Sequence, residues 1–443
     1  MTLLRRWKVA LSPSARLAIV FVLAAGLVHF AQPPLRAQVN QPLRAGEILV
    51  KFRQGASAAS IADAHRRGGG TVERVISGIG VQVVRVPAGA EQARAAAYRA
   101  NLSVEFAEVN GIWEAFVLPN DPLFGQQWQY NNTGQAGGTP DADIDASEAW
   151  DITTGSSSVG IAILDTGIDA SHEDLAAKIV KVVNFTTAPT SDDLYGHGSH
   201  VGGSAAAASN NAKGVAGTCQ GCVLYNVKVL DNSGSGAWSW IASGITWAAD
   251  NGARVINMSL GGAIGSSTVE SAINYAWGKG VVIVASAGNS NSSSASYPAF
   301  YANVIAVAST TSLDVKSSFS NWGSWVDVAA PGSSILSTAP DHANTIWGTG
   351  VKYGTISGTS MASPHVAGVA GLVWSTNLCA GGDATCVRSR IQNTADAIAG
   401  TGTYWTYGRV NANGAVAGGG GTPTPTPGPS PTRTPKPKPS PRG

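Results

Sequence analysis

Short apolar runs alternate with longer segments of helical periodicity between residues 118 and 418. An uninterrupted apolar run is typical of a strand covered on both faces, and a longer apolar-periodic segment after it is typical of a helix. Repeated alternation of this kind predicts right-handed βαβ crossovers and a mostly parallel sheet, hence an α/β fold. The predicted strands are 159–164, 223–229, 255–258, 281–285 and 304–308, and the predicted helices are 198–208, 237–251, 267–280 and 359–375.

The segment from 46 to 113 has a different pattern and predicts a separate small α+β unit. Residues 48–52 and 81–86 alternate like half-buried strands, and 104–110 follows as a last strand. Two stretches between the strands, 58–67 and 91–100, are helical in pattern. We place this unit within a domain of residues 38–117. A permanent accessory domain is one interpretation of it.

The two ends of the chain differ from both units. Basic residues at 5, 6, 8 and 16 precede an apolar stretch from 17 to 28, the pattern of a secretion signal, which we place at residues 1–37. An uncleaved membrane anchor is the alternative. Residues 419–443 carry Thr-Pro and Lys-Pro repeats, a composition that predicts a disordered, extended tail. The tail is either a solvated spacer or an attachment to an acidic cell surface.

Composition narrows the function classes. The 443 residues are 44% hydrophobic and 13% charged, which suits a compact protein with a buried sheet. The net charge of +2 gives no reason to expect nucleic acid or a membrane as a partner. The four cysteines are an even number, which fits disulfides in an exported chain.

Three polar residues lie at junctions where catalytic groups commonly occur. Asp165 ends an apolar strand, His197 lies between two glycines at the start of an Ala-rich helix, and Ser360 begins a helix of small residues. Taken singly, they could be a turn residue, a loop histidine and a helix cap. Their order along the chain, Asp, His and then Ser, is that of the subtilisin triad. The serine does not lie in a Gly-x-Ser-x-Gly context, which argues against an α/β-hydrolase.

The sequence resembles the subtilisin-type serine proteases, or subtilases, and within them the thermitase branch. The resemblance implies a subtilisin-like three-layer sandwich with a mostly parallel sheet, preceded by a small α+β propeptide domain. Two positions depart from the pattern: Ser199 replaces a usual threonine, and Val201 replaces a cysteine of the thermitase branch. The resemblance covers about 118–418 and is carried by residues 159–169, 196–201, 229–236, 323–332 and 358–368.

The same resemblance implies roles for individual residues. Ser360 would be the nucleophile, His197 the general base and Asp165 the group that orients the imidazole. Asn289, in the stretch 284–289, would donate its amide to the oxyanion. Substrate would bind as an added β-strand along two segments, and a cis bond is expected at Tyr297-Pro298. The substrate-binding residues would be Ser235, Gly236, Ser259, Leu260, Gly261, Gly288 and Ser296.

The resemblance implies a structural Ca²⁺ ion as cofactor. Its predicted ligands are all oxygen atoms, which suits this ion. The thermitase branch has a second, acidic calcium loop, and no counterpart of it is evident around 186–193. The cysteines form two nearby pairs, Cys219 with Cys222 and Cys379 with Cys386; two local disulfides are favoured over a zinc site. The predicted calcium ligands are the side chains of Asp121, Asp174 and Asn211 and the backbone carbonyls of Ala208, Lys213 and Val215.

These observations lead to one functional hypothesis and one alternative. The hypothesis is a secreted serine endopeptidase of broad specificity, a monomer that acts on proteins and peptides and processes its own precursor. Its propeptide would be its inhibitor, and neither nucleic acid nor, after signal cleavage, a membrane would be a partner. The alternative is a non-catalytic or cell-surface-tethered binding protein with the same fold.

Overall fold

The computed structural model describes residues 43–112 and 118–418. The predicted signal (1–37) and the predicted tail (419–443) lie outside the described residues. None of the helices in the described ranges is both long enough and apolar enough to cross a membrane.

Residues 43–112 form a small α+β unit around one antiparallel sheet of strand order β2-β3-β1-β4. Its core contains Ile48 and Val50 from the central strand and Tyr98 from the second helix, all fully buried. One strand, β2, is absent from the prediction because all its residues are exposed and give no apolar face. The elements are β1 (Leu43–Phe52), α1 (Ala58–Gly68), β2 (Thr71–Ile76), β3 (Val81–Arg85), α2 (Glu91–Arg99) and β4 (Val104–Gly111).

Residues 118–418 are built on an eight-stranded sheet of order β14-β11-β10-β9-β8-β5-β7-β6. Every neighbouring pair in this sheet is parallel, as the apolar runs predict. From β5 the chain continues to β6 and β7 on one side and then to β8 on the other. A crevice therefore opens at the carboxyl end of β5. The strands are β5 (Gly160–Asp165), β6 (Ile179–Asn184), β7 (Val223–Lys228), β8 (Val255–Met258), β9 (Val282–Ser286), β10 (Ile305–Thr310), β11 (Val328–Pro331) and β14 (Gly408–Arg409).

Helices cover both faces of this sheet. Along β5, Ile161 and Ile163 belong to one hydrophobic core, whereas Ala162 and Leu164 belong to another. Since successive strand residues point to opposite faces, the two cores are the two faces of the sheet, and the expected three-layer sandwich is confirmed. The first core includes α4 and α7, and the second includes α5 and α6. The helices are α3 (Ala146–Trp150), α4 (His197–Ala206), α5 (Trp238–Asp250), α6 (Ser267–Gly278), α7 (Thr359–Trp374), α8 (Ala384–Asn393) and α9 (Ala412–Val416).

A separate antiparallel ribbon precedes α7. It pairs β12 (Ile335–Thr338) with β13 (Tyr353–Ile356), in register from Ile335 opposite Ile356 to Thr338 opposite Tyr353. The long connection between these strands, residues 339–352, has no predicted counterpart.

Covalent features agree with the sequence analysis. The structure contains disulfides between Cys219 and Cys222 and between Cys379 and Cys386, so the zinc alternative has no free thiolate among these residues. The peptide bond before Pro298 is cis, as expected.

Candidate active site

Asp165 and His197 form a hydrogen-bonded pair at the carboxyl edge of the sheet. Asp165 ends β5 and its side chain is fully buried, whereas His197 begins α4 and keeps 16% of its side chain exposed. His197 Nδ1 lies 2.7 Å from Asp165 Oδ1, which also accepts the Thr166 N–H at 2.7 Å. Burial lowers the pKa of His197, but the charge and hydrogen bond of Asp165, with the charge of Asp193, outweigh it and raise the pKa above 6.5. The imidazole is a base whose orientation is set by a buried carboxylate.

A second buried carboxylate, Asp193, holds the start of the helix that carries His197. It accepts the N–H groups of Gly196 and Ser199, each at 2.8 Å, and the hydroxyl of Thr166 at 2.7 Å. The first N–H groups of a helix have no partner within the helix, so this carboxylate satisfies them. Asp193 thereby connects the first turn of α4 to the residue after Asp165.

Ser360 is the second residue of α7, on the same side of the sheet as α4. Its hydroxyl donates to the Ser259 carbonyl at 3.3 Å, and the Ser259 hydroxyl donates to the Ser360 carbonyl at 2.7 Å. Among the described residues, the Ser360 hydroxyl makes no hydrogen bond to His197. Catalytic hydrogen bonds are often long or poorly aligned before substrate binds, so the missing contact does not argue against a nucleophilic serine here.

Asn289 follows β9 and is oriented by Thr359, the residue before Ser360. Asn289 Oδ1 accepts the Thr359 N–H at 2.8 Å and the Thr359 hydroxyl at 2.9 Å. Because the amide oxygen is engaged twice, Nδ2 is left to donate elsewhere. A Cβ built on Gly358 would lie 3.5 Å from Nδ2, which places this donor against the turn that leads into Ser360.

An open cleft of about 470 Å³ runs past His197. One part is lined by the backbone-rich segments predicted to bind substrate, namely Ser235, Gly236, Ser259, Leu260 and Gly261. The other part is apolar and was missed by the sequence analysis. Its lining includes Trp238, Ile241, Ile264, Val269 and Tyr301.

The remaining substrate candidates, Gly288 and Ser296, lie together beside this cleft. A Cβ on Gly261 would be 2.7 Å from the Tyr297 carbonyl and 3.5 Å from Ser296 Oγ, and one on Gly288 would be 3.3 Å from the same hydroxyl. Two glycines and one small side chain therefore bound a common space. Any larger residue would collide with existing atoms, at 261 with the Tyr297 carbonyl and at 288 with Asn321 Nδ2, which a Cβ there would approach to 2.5 Å.

The predicted calcium ligands converge at one place. Asp121 and Asp174 are buried, and the loop 208–215 donates to both: Asn210 N–H to Asp121 at 2.9 Å, Val215 N–H to Asp174 at 3.1 Å. Burial raises the pKa of Asp121, loop N–H groups lower it, and the charge of Asp174 raises it further. Two buried carboxylates close enough for the charge of one to raise the pKa of the other are oxygen ligands of the kind that suits a hard cation. Asn211 at present donates Nδ2 to Asp174 at 2.8 Å, so its oxygen could ligate only after the amide turns.

The two departures from the family pattern are accommodated without disturbing this arrangement. The Ser199 hydroxyl accepts the Asp169 N–H at 2.9 Å, and Val201 is fully buried in the core that includes α4 and α7. Position 201, one helical turn after His197, therefore carries no thiol.

Comparison with protein families divides the chain as its fold does. Residues 156–417, more than half of the chain, match the Subtilase family, and residues 31–110 match the Fervidolysin N-terminal prodomain. The chain is a subtilase. As a subtilase it is a serine endopeptidase, and its first described unit belongs to a prodomain family.

Similar proteins agree with this assignment. Thermitase of Thermoactinomyces vulgaris is 51% identical to this chain, over a match that covers 67% of this chain and 99% of thermitase. The thermophilic serine proteinase of Bacillus sp. strain AK1 is 44% identical over 84% of this chain and 87% of its own. A solved protease from Pseudoalteromonas arctica PAMC 21717 covers 68% of this chain and 99% of its own at 34% identity, with a TM-score of 0.57. The predicted fold and enzyme class are therefore confirmed.

Sequence reasoning missed several residues of this subtilase site. Asp193 had a signal, since a carboxylate shortly before a helix is favoured by the unpaired N–H groups and the dipole of the first turn. Tyr195, which also lines the cleft, and the apolar residues of the cleft had none, because their side chains meet only after distant segments fold together. The loop 339–352 likewise has no regular pattern.

Proposed function

We propose that this subtilase is a secreted endopeptidase of broad specificity, with Asp165, His197 and Ser360 as its triad, that matures by cutting its own precursor. The observation that carries the proposal is the 2.7 Å contact between His197 and the buried Asp165, beside a cleft lined by the two predicted substrate segments. A hydrogen-bonded base whose other side meets an open cleft is the arrangement that an activated serine requires.

Substrate binds as an extended strand between the segments 235–236 and 259–261. Main-chain hydrogen bonds supply affinity there without requiring a particular sequence. The scissile carbonyl then lies at the amino end of α7, next to Ser360. Ground-state binding is therefore separate from the groups that carry out the reaction.

In the acylation step, Ser360 Oγ attacks the carbonyl carbon and His197 Nε2 takes the hydroxyl proton. Asp165 accepts from Nδ1–H, keeps the correct tautomer and stabilises the imidazolium that forms. The carbonyl oxygen becomes an oxyanion, which accepts from Asn289 Nδ2 and from the Ser360 N–H. When the tetrahedral adduct collapses, the C–N bond breaks and the imidazolium gives its proton to the leaving amine.

Deacylation repeats the sequence with water as the nucleophile. His197 removes a proton from water, the acyl–oxygen bond to Ser360 breaks, and the proton returns to Oγ. The same oxyanion donors act in both halves of the cycle. No additional side chain is needed for chemical balance.

Specificity is broad but not absent. The glycine walls at 261 and 288 leave room for a large side chain next to the scissile bond, and the apolar part of the cleft favours a second bulky residue further along the substrate. Both subsites select by apolar burial, and one methylene in such a pocket is worth only about 1–3 kcal/mol. Many sequences are therefore cut.

The precursor carries its own inhibitor. The unit preceding the enzyme belongs to a prodomain family, and we infer that maturation removes residues up to about 117. Secretion rests on the signal predicted at residues 1–37 and on a relative named extracellular protease from Xanthomonas campestris, which is 39% identical over 76% of this chain.

A Ca²⁺ ion fits the residues around Asp121 and Asp174, with carbonyls of Ala208, Lys213 and Val215 and the amide oxygen of Asn211 as further donors. Bound there, it would neutralise two buried carboxylates and stabilise the fold, taking no part in peptide hydrolysis. Because Asp121 lies near the start of the described enzyme unit, this ion would fasten that end to the loop 208–215.

The test compares the full-length precursor with its Ser360→Ala variant, each expressed where no other protease can process it. Wild type should yield mature enzyme that a fluorophosphonate labels at Ser360, as peptide mapping shows. The variant should accumulate with its prodomain uncut and remain unlabelled. Normal maturation of the variant would refute self-processing. A folded wild type that resists labelling and cleaves nothing would favour the non-catalytic binding protein.

A further inference from the structure

The loop between β12 and β13 is fastened to the residues that immediately precede His197. We refer to its residues 342–348 as the clasp. The Thr345 N–H donates to the Leu194 carbonyl at 3.1 Å, and the Ile346 N–H donates to the Tyr195 carbonyl at 3.0 Å. The clasp therefore adds a short backbone pairing to the segment leading into α4.

Trp347 contacts one residue before His197 and one residue after it. Its indole Nε1–H donates to the Gly196 carbonyl at 3.1 Å, one residue before His197. Its ring stacks on His200, one turn after His197, with centroids 5.9 Å apart and planes 13° from parallel. Residues three apart lie on the same side of a helix. One side chain thus contacts the helix start immediately before and one turn after the catalytic imidazole.

The positions around the indole leave space for it and for nothing larger. Gly196 has φ of 99°, and a Cβ there would lie 2.9 Å from the indole Cδ1; a Cβ on Gly354 would overlap the ring. His200 is itself fixed, since Nε2 lies 3.0 Å from the Ile335 carbonyl and 3.1 Å from the Gly354 carbonyl. Burial and the nearby His197 lower the pKa of His200 to about 3, so it stacks as a neutral ring.

We propose that Trp347 is a positioning residue for the general base, and this rests on the proposed role of His197. Asp165 fixes the imidazole from one nitrogen, but the backbone at residue 197 determines where the other nitrogen reaches. Trp347 and the clasp hold that backbone through contacts that Asp165 and Asp193 do not make. A displacement of about 1 Å can cost two orders of magnitude in rate, so loss of this contact should reach the chemistry.

The experiment uses mature enzyme carrying Trp347→Phe or Trp347→Ala, with Trp150→Phe as the matched control. Trp150 is also partly buried, and its Nε1–H donates to a backbone carbonyl, that of Thr218, at 2.9 Å. Phe at 347 keeps an aromatic ring beside His200 but loses the N–H donor and part of the indole's packing area. Each variant is hydrolysed against a peptide p-nitroanilide and the matching activated ester, with active enzyme counted by fluorophosphonate titration.

On the amide, kcat should fall about tenfold in Trp347→Ala and about threefold in Trp347→Phe, with KM nearly unchanged. The loss should be smaller on the ester, whose leaving group needs no proton from His197. Trp150→Phe should stay within about twofold of wild type on both substrates.

Unchanged kcat on the amide, or losses no larger than those of Trp150→Phe on both substrates, would overturn the proposal and leave Trp347 a residue of stability alone. If Trp347→Ala does not fold, the comparison of the two Phe variants decides the question. His197→Ala is measured alongside. Full activity in that variant would instead overturn the proposed triad.

Discussion

Replacing Asn289 tests the oxyanion site most directly, because its amide has two separable functions. Its oxygen accepts the N–H and the hydroxyl of Thr359, and its nitrogen is the proposed donor to the oxyanion. Asn289→Ala removes both functions. Asn289→Asp keeps an acceptor for Thr359 and replaces the donor by an oxygen.

The two functions differ in magnitude and in the quantity they change. Two lost hydrogen bonds to Thr359 should lower the free energy of unfolding by about 1–2 kcal/mol, since a typical intramolecular bond contributes about 1 kcal/mol net. Loss of a comparable oxyanion donor costs a subtilisin about 10²–10³ in turnover, or about 3 kcal/mol of activation free energy. The donor acts only when charge develops, so KM should remain near that of wild type.

The assay is steady-state hydrolysis of a peptide amide at a temperature where every variant is folded by circular dichroism. Asn289→Ala should lose about 10²–10³ in kcat with little change in KM. Asn289→Asp should lose at least as much, because a carboxylate repels the oxyanion, yet unfold close to the wild-type temperature.

Nearly normal turnover in Asn289→Asp, combined with a loss in Asn289→Ala, would refute the reasoning. The amide would then matter only as an acceptor for Thr359. A rise in KM alone would move Asn289 to ground-state substrate binding and leave the oxyanion with another donor.

Three further predictions follow from the charges of the fold. A chelator should lower the melting temperature of the inhibited mature enzyme, and Asp174→Ala should show no further loss on chelation; an unchanged melting temperature in wild type would contradict the calcium site. Burial, and then the charges of Asp396 and Asp143, raise the pKa of Asp145 from 3.8 to about 7. Ionisation of Asp145 therefore opposes folding. This cost to the free energy of unfolding is absent below about pH 4 and complete above about pH 7. Asp145→Asn should therefore stabilise by about 1–2 kcal/mol at pH 9, allowing for solvent screening, and not at pH 4; thermal unfolding in the Ser360→Ala background measures this. The pKa of His197 is raised, and the base must be neutral to act, so the acid limb of the kcat/KM profile should lie above pH 6.5. In Asp165→Asn this limb should move to lower pH. A limb that stays in place would exclude His197 as the titrating group.

The strands and helices that carry the proposed triad could be predicted because local pattern and global fold agree there. β5 is fully buried, so its apolar run is unbroken, and its carboxylate can only come at the end. Of the strands that escaped prediction in this unit, β11 and β12 are fully buried but only four residues long, and two others have weaker constraints. β6 lies at the edge of the sheet and leaves Val180 and Val182 about half exposed, and β14 is two residues long.

The residues that surround the triad could not be predicted because they act across long separations in the sequence. Trp347 contacts Gly196 from 151 positions away, and neither residue shows its partner in local periodicity. Asn289 was proposed as an oxyanion donor only through the family resemblance, since an asparagine after glycine is usually a turn residue. Its bonds to Thr359, 70 positions away, are what distinguish it from one.

This difference has a physical basis in how the base is held. The proposed triad needs one strand end and two helix starts, which hydrophobic patterning alone specifies to within a residue or two. Reaction geometry requires finer control than that, and the structure supplies it from polar and aromatic groups that the pattern does not encode. Asp193 holds the first turn of α4 from one side and Trp347 from the other, while Asp165 fixes the imidazole. A subtilase could keep its fold without Trp347; its rate on amides is where the difference should appear.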